Sequence, residues 1–358
     1  MDFLQETAVA TGVVAAYLTV LFAGSLWLPG RRVRGPVLPG GHREEYHLNG
    51  AALFALCAAA AGAGLLLAPE VMAYPARHPA ALFVAANAVS LVIAAGLYTA
   101  GRRGATEPSG RHPLADFFYG VRLNPRLAGV DLKMFAYRPS LIALFLVNVS
   151  WAAVQLVEHG AISDRMAVYQ FLFFLYIANY FQFEYGMMYT WDVMSERFGL
   201  MLVWGDFVLV PFFYGLPGLT LVDMTAPLTG WEAALSGVVF CLGFWMFRGA
   251  NEQKHRFRSD GRVRIWGRPA RALEGRLLIS GFWGIGRKLN YTGELLVYLG
   301  WTLLCGTESF LPYTVVVWLL VLFAHRAHRD DRRCRAKYGA LWERYCQKAR
   351  FRMVPFLY

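Results

Sequence analysis

The chain is short of the features that mark most soluble enzymes. Charged residues fill 16% of its 358 positions, against about 25% in an average soluble domain. That shortfall excludes an ordinary water-soluble globule. The five cysteines, Cys57, Cys241, Cys305, Cys334 and Cys346, form no CxxC pair. An odd, scattered set of this kind excludes a disulfide framework and a cysteine-based zinc site. No HExxH, GxSxG or GxxxxGK[ST] occurs, and no GxGxxG follows a strand-like segment. These absences exclude a zincin, a nucleophile elbow and a P-loop, and any dinucleotide would be held without a Rossmann domain. No internal repeat is visible and no loop is long enough for a soluble domain. No residue set points to a metal or to nucleic acid, and oligomeric state is not legible.

What is present is apolar. Hydrophobic residues make up 57% of the chain and mean hydropathy is +0.38. Apolar stretches run near 8–29, 51–68, 80–100, 140–157, 167–190, 199–222, 231–247, 277–304 and 311–325. Most approach the roughly 20 residues that cross the hydrocarbon core as a helix. The expected fold is all-α, a polytopic transmembrane bundle of nine to ten helices. Asp2 and Glu6, with no basic n-region, predict that the first stretch is an anchor and not a signal peptide. Gly101, Gly104, Pro108, Gly110 and Pro113 break helices in the longest loop.

Net charge is +11, unevenly placed. Basic residues follow the first, third and seventh stretches and fill the tail, whereas segments near 69–79, 158–166, 218–230 and 305–311 are nearly free of Lys and Arg. Alternate basic loops obey the positive-inside rule, so those loops and the C-terminus are expected to be cytoplasmic. Nine crossings put the N-terminus outside, ten inside. Rich alanine and arginine usage points to a GC-rich bacterial genome, hence an inner or intracytoplasmic membrane.

The last third is the unusual part. It carries NEQKHRFR (251–258), SGFWGIGRKLNYTGE (280–294) and HRAHRDDRRCRAKYGALWERYC (325–346). Lys254 and Arg258 lie one helical turn apart and can clamp a phosphate, although such a pair is equally an ordinary solvated one. Trp283, Asn290 and Tyr291 can stack on rings and meet amide edges. Arg287 and Lys288 place this part near water. Arg326 and Asp330 are spaced to pair, and Tyr338, Leu341, Trp342 and Tyr345 form an amphipathic stripe. Cations interleaved with rings beside bilayer-grade segments suit a bulky anionic cofactor. Among intramembrane acids, Glu184, Asp192 and Asp206 are functional candidates, and Tyr176, Tyr180 and Tyr185 would form a wall for a polycyclic lipid.

At these residues the chain resembles the membrane sterol reductases, the family of delta-14-sterol reductase, 7-dehydrocholesterol reductase and the sterol-reductase domain of lamin B receptor, and is nearest in motif to a bacterial delta-14 member. The resemblance covers 112–358, through DFFYGVRLNPR (116–126), DLKMFAYRPSLI (131–142), TWDVMSERFGLML (190–202), WGDFVLVPFFY (204–214), the 325–346 segment and FRMVP (351–355). Residues 1–111 add N-terminal transmembrane helices to a reductase core at 112–358 with a C-terminal NADPH-binding region. The resemblance implies NADPH-dependent reduction of a sterol ring double bond. It carries cofactor binding onto Lys254, Arg258, Leu278, Trp283, Asn290, Tyr291, Arg326, Asp330, Cys334, Arg335, Ala336, Lys337, Tyr338 and Tyr345. Two departures stand out: Lys288, where many relatives have His, and Ser195, Glu196 and Arg197, where many delta-14 members read His-Asp-Gly. A long basic N-terminal domain is missing, which disfavours chromatin tethering.

An unactivated alkene resists hydride, so protonation must come first or with it. A delta-8,14 diene protonated at carbon 15 leaves an allylic cation at carbon 14 for the hydride. Catalytic candidates are Tyr176, Glu184 and Asp192, with Asp330 orienting the nicotinamide end. The expected partners are a sterol substrate and membrane lipids. Three alternatives stay open: a double bond at carbon 7 or in the side chain, an isoprenylcysteine-type methyltransferase (with Leu289 where its motif proline would fall), and a non-catalytic sterol-binding protein.

Overall fold

The computed structural model describes residues 2–38, 41–103, 111–224, 226–260, 262–355 and 357. Gly104, Pro108, Gly110 and the turn residue Gly261 lie outside the described residues. The chain forms two compact units, Met1–Asp223 and Met224–Tyr358, and most described residues are helical.

The first unit is built on long apolar helices. They are α1 (Phe3–Trp27), α2 (Gly50–Leu67), α3 (Pro79–Arg103), α4 (Leu132–His159), α5 (Asp164–Gln182) and α6 (Leu200–Leu221). Helix starts follow capping chemistry. Asp2 accepts from the Gln5 amide at the head of α1, and Ser163 caps α5. Asp131 accepts from the amides of Lys133 and Met134 at 3.0 and 2.9 Å and starts α4. Gly160, at φ +73°, stops α4 in the left-handed conformation that lacks a steric penalty only for glycine. α4 is the hub: 67% of its most apolar window is buried, against 17% in α1. α6 is not uniform, because Gly205–Leu209 winds as a π-helical turn that carries Asp206. Such turns gather at functional positions.

The second unit contains α7 (Gly230–Ser259), α8 (Leu289–Thr302), α9 (Tyr313–Tyr338) and α10 (Ala340–Lys348). Thr229 and Glu232 form a reciprocal capping box at the start of α7. α7 and α8 touch backbone to backbone. A Cβ at Gly293 would stand 2.3 Å from the Phe247 amide nitrogen, and one at Gly243 would stand 2.6 Å from that of Val297. Small residues permit this approach where no hydrophobic effect drives helices together.

Among the described residues six helices are long and apolar enough to cross a bilayer: α1, α2, α3, α4, α6 and α7. The expected count of nine to ten is larger. The 277–304 stretch is not one span, since it opens in a hairpin and α8 covers only 289–302. Among the described residues the structure also adds four antiparallel ribbons to the all-α expectation. β1 (Arg31–Val37) pairs with β2 (Arg43–Leu48), and β3 (Arg126–Leu127) with β4 (Val130–Asp131). β5 (Arg264–Ile265) pairs with β6 (Arg268–Pro269), and β7 (Ala272–Leu273) with β8 (Leu277–Leu278).

Candidate functional site

In the second unit, cationic and aromatic residues from four separated segments come together. Trp283 is buried and anchored by its indole N–H, which donates to the Ala250 carbonyl at 2.8 Å. It shares an apolar cluster with Leu278, Val263 and Ile265. The Lys254 ammonium stands 4.5 Å from the Trp283 ring centroid, a cation–π contact that fixes a flexible cation. From α10, the Tyr345 hydroxyl donates to the Trp283 carbonyl at 3.1 Å. Burial raises the Tyr345 phenol above its usual range, so it remains a donor at neutral pH. Gly281, at φ +60°, sets up this corner: a Cβ there would stand 2.3 Å from Gln253 Oε1, which itself accepts from the Phe282 amide.

Next to this corner lies a charge pair between a buried lysine and a half-buried aspartate. Lys288 donates to Asp330 on α9, and Cys334, one turn further on, approaches the same carboxylate at 3.9 Å. Burial would raise the Asp330 carboxyl, but Lys288, then Lys254 and Arg333, overrule it and hold it below the usual range. Burial and the Asp330 charge raise the Cys334 thiol, which keeps it protonated and unreactive. Lys254 sits in the combined field of Lys288, Arg258 and Asp330. At the head of α8, Asn290 donates to Asn251 Oδ1 at 3.3 Å, whereas its own buried Oδ1 has no partner. Tyr291 stacks on Phe323 with centroids 4.9 Å apart.

Arg258 is exposed at the end of α7, and Arg335, Ala336 and Lys337 are exposed at the end of α9. Tyr338 is half-buried, with Arg276 and Lys337 at 5.1 and 5.3 Å from its ring. Arg326 is half-buried one turn before Asp330.

One local expectation is corrected. Arg287 and Lys288 are buried, not at the water surface. Arg287 is committed to the chain end, donating to the Ala349 carbonyl at 2.9 Å and pairing with Asp331 at 3.5 Å. Asp330 is also met by Lys288, 42 residues away in sequence, a partner that the local spacing does not supply.

The first unit holds the intramembrane acids. Glu184 is buried and bracketed: its Oε2 accepts from the Gly50 amide at 2.9 Å, and its Oε1 accepts from Arg138 Nε at 2.8 Å and from the Tyr137 hydroxyl. Arg138 also donates to the His47 carbonyl at 2.7 Å. Lys133 is likewise buried, and donates to the carbonyls of Asp192, Val193 and Glu196 at 2.7, 2.9 and 2.6 Å. It thereby closes the short helix that carries Asp192. Tyr176 is buried with its hydroxyl 3.4 Å from that of Tyr180. Sequence reasoning missed Lys133, Tyr137 and Arg138 as individuals, although all three lie in the 131–142 motif. It also missed Asn251, which opens the NEQK segment.

The profile of the Ergosterol biosynthesis ERG4/ERG24 family matches residues 3–358. The chain belongs to that family. Relatives within and around the ERG4/ERG24 family include a Delta(14)-sterol reductase of Arabidopsis thaliana, 34% identical over 352 residues, covering 97% of this chain and 95% of that protein. A Delta(14)-sterol reductase of Methylotuvimicrobium alcaliphilum is 38% identical over 358 residues, covering 98% of this chain and 83% of that one. A 7-dehydrocholesterol reductase of Xenopus laevis is 35% identical over 258 residues, covering 68% and 54% respectively. Family membership and six bilayer-length apolar helices make this ERG4/ERG24 protein an integral membrane protein.

Proposed function

We propose that the protein is a sterol reductase that saturates a ring double bond, the delta-14 bond, with NADPH as reductant in sterol biosynthesis. The observation that carries the cofactor reading is the buried Asn290 Oδ1, an acceptor with no partner. Leaving such a group unmet costs about 1–3 kcal/mol, and it lies in a corner of fixed cations and rings. A carboxamide N–H fits that acceptor, and Lys254 with Arg258 fits phosphate. The donor set therefore suits a reduced pyridine dinucleotide. Leu278, Trp283, Tyr291, Arg326, Asp330, Tyr345 and the run Cys334, Arg335, Ala336, Lys337 and Tyr338 complete the proposed binding set.

NADPH, when bound, supplies the hydride. The protein's own task is to hold the cofactor, exclude water and place a proton. Tyr176, Glu184 and Asp192 are the proposed acid groups. In the Glu184 cluster the transferable proton sits on the Tyr137 hydroxyl, so Glu184 acts through that phenol. Lys133 holds the Asp192 helix in place. We assign residues 112–358 to the reductase core, residues 1–111 to additional membrane helices, and the C-terminus to the cytoplasmic side.

The test is to give purified protein a delta-8,14 sterol and NADPH and follow loss of the diene by mass spectrometry. Conversion to the delta-8 product is expected. No conversion, together with a melting-temperature rise from S-adenosylmethionine but none from NADPH, would favour a methyltransferase instead. Turnover only of a delta-7 or side-chain olefin would keep the reductase and move the bond.

A further inference from the structure

The basic end of α7 carries a groove that the reductase reading does not use. Its volume is about 170 Å³, and it lies wholly within the second unit. Trp245, Trp266 and Phe282 form its walls. The two indoles are nearly parallel, 17° apart with centroids at 6.4 Å, and Phe282 meets them edge-on at 4.8 and 5.2 Å. Gly249 and Gln253 form the floor, and Arg256 and Arg264 the rim. Trp245 and Trp266 are 54% and 55% exposed, so large apolar rings are presented together without cover.

The local backbone is built to present one of them. Trp266 has φ +50°, a conformation uncommon for a bulky residue. Arg264 fixes that turn by donating to the Gly267 carbonyl from Nε at 3.0 Å and from Nη2 at 2.7 Å. The result sets Trp266 beside Trp245.

The groove's level along α7 follows from helix geometry. The apolar run of α7 ends at Phe247, just before Arg248, so Trp245 stands at the end of the span, where tryptophan concentrates at membrane interfaces. Arg256 lies roughly 16 Å further along the axis at 1.5 Å per residue, on the polar side of that interface. The rim is cationic. Arg256 and Arg264 are exposed, with Arg262 and Arg268 beside them. Glu252 also lines the groove, but Arg248 holds its carboxylate at 2.8 Å. Among the described residues the Arg256 side chain enters no ion pair.

We propose that this groove binds an anionic phospholipid of the surrounding bilayer, its phosphate at Arg256 and Arg264 and its glycerol and upper acyl chain against Trp245 and Trp266. Cationic side chains near the surface favour anionic lipid, and the exposed indoles supply the amphipathic contact. The inference requires only a membrane-embedded protein and is independent of the sterol chemistry.

The test uses the full chain in phosphatidylcholine vesicles doped with a minor fraction of phosphatidylglycerol or phosphatidylcholine brominated on the acyl chains. Tryptophan quenching is the readout. Brominated phosphatidylglycerol should quench several-fold more than brominated phosphatidylcholine at equal mole fraction. The excess should vanish in W245F/W266F and fall to the neutral-lipid level in R256Q/R264Q, with the helical circular dichroism unchanged. If R256Q/R264Q does not fold, R256Q alone, at an exposed position, must still reduce the excess. Equal quenching of the wild type by both lipids, or a preference undiminished by loss of Arg256, overturns the proposal.

Discussion

Arg138 and Glu184 show how a single buried contact can organise a membrane protein. Their side chains are 3% and 5% exposed and pair at 2.7 Å. Removing one partner of a buried pair leaves an uncompensated charge, at a cost of about 3–5 kcal/mol. R138Q should therefore lower the thermal midpoint in detergent markedly, and R138Q/E184Q should recover part of the loss because no lone charge remains. An unchanged midpoint in R138Q would show that Gly50 and Tyr137 suffice to hold Glu184. Lys288 and the half-buried Asp330 make a second ion pair, with a pH signature. The Asp330 carboxyl is held below its ordinary value, so its contribution is complete above the ordinary carboxylate range. It is lost as pH falls through the depressed value. Acid unfolding of the wild type should be steeper below that range than that of K288M, whose Asp330 lacks its main cation. Coincident acid profiles would contradict the pairing.

Among the elements, α7 and α8 depend on glycine at their contact. The close approach at Gly243 and Gly293 leaves no room for a side chain. Overpacking a tight contact costs about 1–3 kcal/mol, so G293V should lower thermal stability and push the helices apart. The shift would carry Asn290 and Lys288, at the head of α8, away from Asn251 and Lys254 on α7. Loss of NADPH affinity should thus accompany loss of stability; a variant of wild-type stability and affinity would argue against the seam. The long helices were legible in the sequence because apolar runs report them directly. The ribbons were not, since strands of two residues, as in Arg264–Ile265, carry no periodicity. The 277–304 stretch left the count at nine or ten because hydropathy averages over the turns at Gly281 and Gly286. In the site, the spacing of Lys254 and Arg258 was legible within one helix. The partnership of Asp330 was not, because the chain between Lys288 and Asp330 is brought back by packing that no local pattern records.

For the whole molecule, the distribution of charge is the most consequential property. A net +11 spread evenly would only repel. Here the first and last turns of the spans differ sharply. α3 ends in Arg102 and Arg103, and α7 ends in Arg256 and Arg258, whereas the segment at 218–224 and the first turn of α7 at Gly230 lack Lys and Arg. Arginine-rich ends are retained on the cytoplasmic side during insertion. A fluorescent-protein fusion after the last residue should therefore fluoresce in a bacterial host, because that reporter folds in the cytoplasm. An alkaline phosphatase fusion within 218–224 should be active outside it. Neutralising Arg256, Arg258, Arg262, Arg264 and Arg268 together should weaken this asymmetry and yield mixed orientations, seen as reduced fluorescence from the C-terminal fusion. Fluorescence undiminished by that change would mean that the tail from Arg326 to Lys337 fixes the orientation by itself, and would move the topogenic signal from the end of α7 to the end of α9.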